Sequence, residues 1–188
     1  YIIEQNLNSI QNCKIVLFYG ENQGLKKSFK EIIKNKEKKT EVIRLSQEDI
    51  IKNNNILNNE ILNKLIFSEK KIIFIEQVND KILNLLEKLV DAIENEKIYL
   101  FADNLEKKSK LRTYFEKDKN LGISPCYNDN ELTIRKIITK ELSNFSGLSN
   151  EIINLIILNT GLDRLKVLNE LEKIQSCFLD KKLDFNKI

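Results

Sequence analysis

The sequence has 188 residues, of which 41% are hydrophobic and 31% charged, with a formal net charge of +3. This composition is typical of a soluble globular protein, and the small charge neither requires nor excludes a nucleic-acid partner. The absence of histidine excludes Ser-His-Asp triads, Cys-His dyads and histidine-based zinc sites. The three cysteines (Cys13, Cys126 and Cys177) form no C-x-x-C pair, and such scattered thiols predict a cytoplasmic protein, while no apolar run predicts a membrane span.

The first two thirds of the chain contain five runs that predict strands. Three of them are continuously apolar, which is typical of strands buried on both faces: 15–19, 72–75 and 98–102. The alternating run 41–45 predicts a strand close to an edge of the sheet. The run 122–127 contains Pro125, which also favours an edge position.

Amphipathic segments separate these strands and predict helices at 24–35, 60–67, 80–93 and 109–116. Asp80 is the expected N-cap of the third helix. The asparagine-rich stretch 47–59 predicts a frayed helix and a loop. Because strands alternate with helices, the pattern predicts an α/β fold, a parallel sheet with helices on both faces.

The pattern changes near Asn128, after which no strand is predicted. Three helices are expected, at 130–144, 149–159 and 163–178. Ser149 and Asp163 are the predicted N-caps of the last two, and Gly147 and Gly161 mark the breaks between helices. The chain therefore divides into an α/β domain, 1–128, and a small three-helix domain, 129–188.

The loop after the first strand lies where nucleotide hydrolases carry the phosphate-binding motif G-x-x-x-x-G-K-[ST]. Here Gly20 and Gly24 are one residue too close, and Leu25 stands where the lysine is needed. The third strand ends in Glu76-Gln77, although a hydrolase needs two acids there and an amide cannot act as a base. We therefore predict a hydrolase architecture that uses no nucleotide cofactor; an ordinary α/β sheet with a glycine turn is the alternative.

Two weaker signals keep other functions open. Asp103, followed by Glu106-Lys107-Lys108, places an E-x-K triplet after an acid, as in metal-dependent nucleases. A solvated helix N-terminus explains the same residues. Lysine-rich stretches such as Lys36–Lys39 are compatible with a DNA-binding module and equally with an ordinary solvent-exposed surface. An ATPase with an unusual loop is a further enzyme alternative.

The predicted helix 60–67 ends in an apolar tip. Its packing stripe is supplied by Ile61, Leu62 and Leu65, so Ile66 and Phe67 extend the apolar surface further. Burial of two such side chains by a partner would contribute about 1.5–3 kcal/mol each. The residues alone leave open whether the pair turns into the core or remains exposed.

With these residues in place, the chain resembles the delta subunits of the bacterial DNA polymerase III clamp loader. The resemblance runs along nearly the whole chain. It rests on short strings in a common order: IVLFYGE at 15–21, LIFS at 65–68, LEKKSKL at 105–111, CY at 126–127, and TGLD at 160–163 leading to NELEK at 169–173. The last string is the most specific of these.

The resemblance implies an AAA+ module in which an α/β domain with a degenerate nucleotide site is followed by a helical lid. The family's C-terminal collar domain is absent from this chain, so we expect the 188 residues to be part of a longer protein. Such a subunit is not an enzyme on its own. It belongs to a DNA-directed DNA polymerase holoenzyme, a nucleotidyltransferase, that acts in bacterial DNA replication.

The resemblance also implies a binding site and its partners. In that family an apolar pair at a helix tip enters a pocket of the sliding clamp (beta) and loosens one ring interface. The matching clamp-binding residues are Leu65, Ile66 and Phe67, and the family more often has leucine where this chain has Ile66. The other implied partners are the gamma/tau and delta prime subunits, with primed DNA contacted through the complex. No catalytic residue, metal or cofactor is implied.

Overall fold

The protein is described by a computed structural model covering residues 7, 9–10, 12–36, 40–53, 55–62, 71–90, 93 and 96–188. The chain divides into two compact units. The first comprises 1–21 and 28–126, and the second comprises 22–27 and 127–188. Within the described residues, no helix is both long and apolar enough to cross a membrane.

The first unit is built on a five-stranded sheet in the order β2-β3-β4-β1-β5, and every strand pair is parallel. The strands are β1 (Ile15–Tyr19), β2 (Glu41–Ser46), β3 (Lys71–Val78), β4 (Glu96–Ala102) and β5 (Gly122–Pro125). The predictions of a parallel sheet and of edge positions for β2 and β5 are confirmed.

Both faces of the sheet are covered, which explains the continuous apolar runs of the central strands. Leu17 and Leu100 belong to the core on one face, where four helices contribute side chains. On the other face the ring of Phe18 lies 4.5 Å from that of Phe29, and both rings are fully buried. A strand between two helical layers has no solvent side, so polar residues are absent from its centre.

The first unit contains the helices α1 (Gln23–Lys36), which begins in the second unit, α2 (Gln47–Lys52), α3 (Asn55–Leu62), α4 (Leu83–Leu89) and α5 (Lys110–Lys117). The predicted helix within 47–59 is confirmed, but the extent of the predicted loop is wrong, because α2 and most of α3 occupy this stretch and Asn53 lies between them in an extended conformation. Ser46 caps α2 by accepting a hydrogen bond from the Asp49 amide. The complete burial of Ile50 and Leu57 stabilises these helices, and tertiary packing therefore outweighs the weak helix propensity of asparagine.

Asp80 does not cap its own helix, and this prediction is also wrong. Asn79 is the N-cap of a short 3₁₀ turn, Asp80–Ile82, that leads into α4. The Asp80 carboxylate instead accepts hydrogen bonds from the Ser109 hydroxyl at 2.6 Å and from the Leu111 amide at 3.0 Å. Asp80 thus binds the start of α5, 30 residues further along the chain, through hydrogen bonds.

The second unit contains α6 (Glu131–Glu141), α7 (Asn150–Thr160) and α8 (Arg164–Cys177), which enclose their own apolar core. Ser149 and Asp163 cap α7 and α8 as predicted. Gly161 ends α7 in the left-handed conformation, with φ of 61°. A short 3₁₀ turn, Phe185–Lys187, follows α8 and was not predicted.

Candidate functional site

The loop after β1 lies at the carboxyl edge of the sheet, beside the point where the strand order reverses. Ligands of open parallel sheets bind at such points. Gly20 has φ of +132°, and its amide donates to the Asp103 carbonyl oxygen at 3.1 Å. A Cβ at this position would lie 2.3 Å from the Cys126 carbonyl oxygen. Position 20 therefore requires glycine, because the backbone at Cys126 lies too close to leave room for a Cβ atom.

Asn22 organises the start of α1. Its side-chain oxygen accepts a hydrogen bond from the Leu25 amide at 2.9 Å, as an N-cap does. Its side-chain nitrogen donates to the Tyr127 carbonyl oxygen at 3.0 Å and to Asp129 at 2.7 Å. Asn22 is only 6% exposed, so this capping side chain is buried within the second unit.

The first turn of α1 packs directly on the first turn of α8. A Cβ at Gly24 would lie 2.5 Å from the backbone nitrogen of Leu165 and 2.9 Å from the Arg164 carbonyl carbon. These are backbone atoms, which cannot rotate away. Gly24, the second glycine of the loop after β1, is thus in close contact with the backbone of α8.

A buried ion pair joins the segment before α6 to the start of α8. Arg164 donates to Asp129 through Nε at 2.6 Å and through Nη2 at 2.5 Å, and both side chains are 6% exposed.

Sequence reasoning missed Asn22, Asp129 and Arg164. The available signal was weak: each of these polar residues lies beside the first turn of a predicted helix.

At the end of β3 the expected pair of acids is replaced by Glu76 and Gln77. The Lys30 ammonium lies 2.6 Å from one oxygen of Glu76 and donates to the other at 2.8 Å. The same ammonium lies 4.2 Å from the centroid of the Phe101 ring. Gln77 is exposed, has φ of 56° and sits in a β-bulge. Glu76 is therefore held by a cation that the chain itself supplies.

The residues considered for a nuclease do not form a cluster. Glu106 pairs with Lys108 at 2.9 Å, and both side chains are largely solvated. Across the described part of the chain, no group of three His, Cys, Asp or Glu side chains is placed to hold a metal ion. Asp103 contributes its carbonyl oxygen to the Gly20 turn.

The predicted clamp-binding residues, Leu65, Ile66 and Phe67, lie outside the described residues. The structure describes the chain up to residue 62 and again from residue 71. The buried Lys71 ammonium at the start of β3 donates to the Glu60 carbonyl oxygen at 2.6 Å and lies 3.4 Å from the Glu60 carboxylate. Ile61 is already part of the core. This contact ties the end of α3 to the start of β3.

No protein-family model matches the chain, and no curated protein matches it by sequence. The fold of the Bacillus subtilis DNA clamp loader delta protein aligns with a TM-score of 0.63 at 12% identity, covering 97% of this chain and 59% of that one. A RuvB mutant from T. maritima aligns with a TM-score of 0.60 at 15% identity, covering 98% of this chain and 66% of that one. A structure concerned with katanin self-assembly aligns with a TM-score of 0.54 at 14% identity, covering 85% of this chain and 61% of that one.

These likenesses concern the fold, since the identities are low. They confirm the AAA+-like α/β class and the resemblance of this fold to that of a clamp loader delta protein. The chain spans less than two thirds of each of the three structures that it matches.

Proposed function

We propose that this chain is a non-catalytic clamp-loader subunit that binds the sliding clamp of a DNA polymerase. The observation that carries the proposal is the fold likeness to a clamp loader delta protein over 97% of the chain. The surroundings of the degenerate loop support it, because Asn22, Asp129 and Arg164 satisfy one another where a nucleotide hydrolase binds phosphate.

The clamp-binding residues of this proposal are Leu65, Ile66 and Phe67. The Lys71–Glu60 contact supports their use in binding, because it holds together the two ends of the connection that carries them. Ile61 and Leu57 already fill the core under α3. The described part of α3 thus has core contacts of its own, and the proposal assigns the apolar triplet to binding.

The proposed action is a shift in population and not a chemical step. Inserting the apolar pair into a pocket of the ring favours whichever clamp state binds it better. If the opened or strained ring is that state, the clamp opens without any hydrolysis in this chain. ATP acts in the motor subunits, gamma/tau, which with delta prime complete the proposed bacterial, cytoplasmic assembly on primed DNA.

The test is titration of the cognate sliding clamp with the chain and with an Ile66→Ala/Phe67→Ala variant. We expect the double variant to bind roughly a hundredfold more weakly or worse, because two large apolar contacts are lost. Its circular dichroism and melting temperature should stay unchanged.

The matched control is Leu132→Ala/Leu158→Ala, which removes two apolar side chains that are 70% and 79% exposed. This variant should bind the clamp like the unmodified chain. If the Ile66/Phe67 variant unfolds instead, the pair belongs to the core and the assigned site is wrong.

A further inference from the structure

The second unit contains an open cavity of about 400 Å³ at the end of α8. Its volume lies within the range of roughly 300–1,000 Å³ that is usual for small-molecule sites. The cavity is formed by one stretch of chain, which continues from α8 through a turn into the 3₁₀ turn Phe185–Lys187. Six residues line it: Cys177, Phe178, Leu179, Asp180, Lys182 and Lys187. A ligand there would meet a thiol, an apolar surface and charged groups.

Hydrogen bonds to the segment between α6 and α7 hold the wall of this cavity in place. The Lys181 carbonyl oxygen accepts a hydrogen bond from the Ser146 amide at 2.8 Å, and the Leu183 amide donates to the Ser146 carbonyl oxygen at 2.9 Å. Phe178 belongs to the apolar core of the unit. The backbone on both sides of Lys182 is therefore fixed, and the cavity is part of the folded structure.

The charges on the lining favour an anion. Lys182 and Lys187 contribute two ammonium groups, against the single carboxylate of Asp180. The Lys187 ammonium lies 3.6 Å from the Asp184 carboxylate, and both of these side chains are solvated. Because a solvated ion pair contributes little, the Lys187 ammonium is available to an incoming anion.

Cys177 is the thiol best placed to react with such a ligand. It is exposed, whereas Cys126 is buried and Cys13 is half-buried. Burial and the nearby Asp118 carboxylate raise the pKa of the Cys13 thiol, which lowers its thiolate fraction. A reagent that attacks thiolates should therefore modify Cys177 before the other two cysteines.

We propose that this cavity is a thiolation site, in which Cys177 forms a mixed disulfide with a small anionic disulfide such as glutathione disulfide. The Cys177 thiolate attacks one sulfur of the reagent, whose S–S bond breaks, and the other half leaves as a thiolate. The disulfide is the oxidant, so no further reactant is needed. Lys182 and Lys187 select the reagent by binding its carboxylates. The inference goes beyond clamp binding and does not depend on residues 65–67.

The experiment compares the rates of modification by glutathione disulfide and by the uncharged bis(2-hydroxyethyl) disulfide, followed by mass spectrometry of the whole chain. We expect Lys182→Gln/Lys187→Gln to lower the rate with glutathione disulfide roughly three- to tenfold, because two contacts to carboxylates are lost. The rate with the uncharged reagent should change much less. Since both reagents meet the same thiolate, the ratio of the two rates reports recognition by the cavity and not the reactivity of the thiol.

The charge-matched control is Lys136→Gln/Lys166→Gln, which removes two exposed lysines of the same unit outside the cavity. It should leave the ratio of rates unchanged, whereas Asp180→Asn should raise this ratio. An unchanged ratio in the cavity variant, or an equal fall in the control, would overturn the proposal, because Cys177 would then be an exposed thiol without a binding site.

Peptide mapping identifies the cysteine that reacts. The first glutathionyl group should appear on Cys177, and Cys177→Ser should lose this fast modification. Initial modification of Cys13 or Cys126 in the folded chain would also overturn the proposal.

Discussion

Lys30 and Glu76 form an ion pair between α1 and β3, with the ammonium 2.6 Å from one carboxylate oxygen. In a nucleotide hydrolase an acid at the end of this strand holds the metal ion. Here the acid, Glu76, pairs with a lysine of the first unit. In the second unit the buried carboxylate of Asp129 faces Arg164 in a comparable way. Each unit thus contains an ion pair between residues that lie far apart in the sequence.

Replacing Lys30 with methionine tests the first of these pairs. The variant loses the Glu76 ion pair and the contact of the ammonium with the Phe101 ring. Both groups are partly solvated, so we expect the free energy of unfolding to fall by only about 1 kcal/mol. Urea denaturation measures this change. Lys52→Met, which breaks the exposed Lys52–Glu48 pair, should have almost no effect, and equal effects of both variants would contradict the account.

Breaking the buried pair should be much more costly. Arg164→Leu leaves the Asp129 charge buried without its partner, and such changes lower the free energy of unfolding by about 3–5 kcal/mol. The double variant Arg164→Leu/Asp129→Leu removes both charges and should recover a large part of that loss. Urea denaturation of the two single variants and the double variant gives the coupling energy. Simple additivity would show that the two residues do not act as a pair.

Gly24→Ala tests the close packing of the two helix starts. Alanine favours a helix by about 1 kcal/mol over glycine, yet its Cβ would lie 2.5 Å from the Leu165 nitrogen. We therefore expect a net loss of roughly 1–3 kcal/mol from overpacking. Asn35→Ala, at an exposed position of the same helix, should instead stabilise slightly. A gain in melting temperature for Gly24→Ala would show that the two turns are not in contact.

The Asp80 carboxyl should make stability depend on acid pH. The hydrogen bond from the Ser109 hydroxyl, followed by that from the Leu111 amide, lowers the pKa of Asp80 below its ordinary value of 3.8. The unfolded chain thus binds the proton more tightly, and this contribution to stability is complete above the ordinary pKa. It is lost as the pH falls through the lower pKa of the folded state.

The measurement is the difference in unfolding free energy between the unmodified chain and Asp80→Asn, followed from neutral to strongly acid pH. This difference should shrink towards zero on the acid side. Ser109→Ala should reduce the pH-dependent part, because it removes the hydrogen bond that most lowers the pKa. A difference that stays constant through the acid range would contradict the assignment.

The sheet and the last three helices could be predicted because their signals are local. A strand such as Ile15–Tyr19 is apolar throughout since both of its faces are buried. Ser149 and Asp163 act on amides two or three residues away, so their role is visible in the order of residues. At 47–59 only a frayed helix and a loop were predicted, because the burial of Ile50 and Leu57 depends on the sheet, which the local asparagine-rich pattern does not reveal.

For the candidate site, too, the local features were predicted and the long-range contacts were not. The defects of the phosphate loop and of Glu76-Gln77 are local substitutions within a short motif, and sequence reasoning found them. The partners of these residues lie far along the chain: Asn22 binds Asp129 across 107 positions, and Lys30 binds Glu76 across 46. Only the fold brings such residues together, so no pattern of spacing could identify them.

The most direct test of the central claim is the affinity of the cognate sliding clamp for this chain, measured with and without ATP and Mg²⁺. We expect the chain to bind the clamp with the same dissociation constant in both conditions. No binding in either condition, or binding that requires ATP, would contradict it.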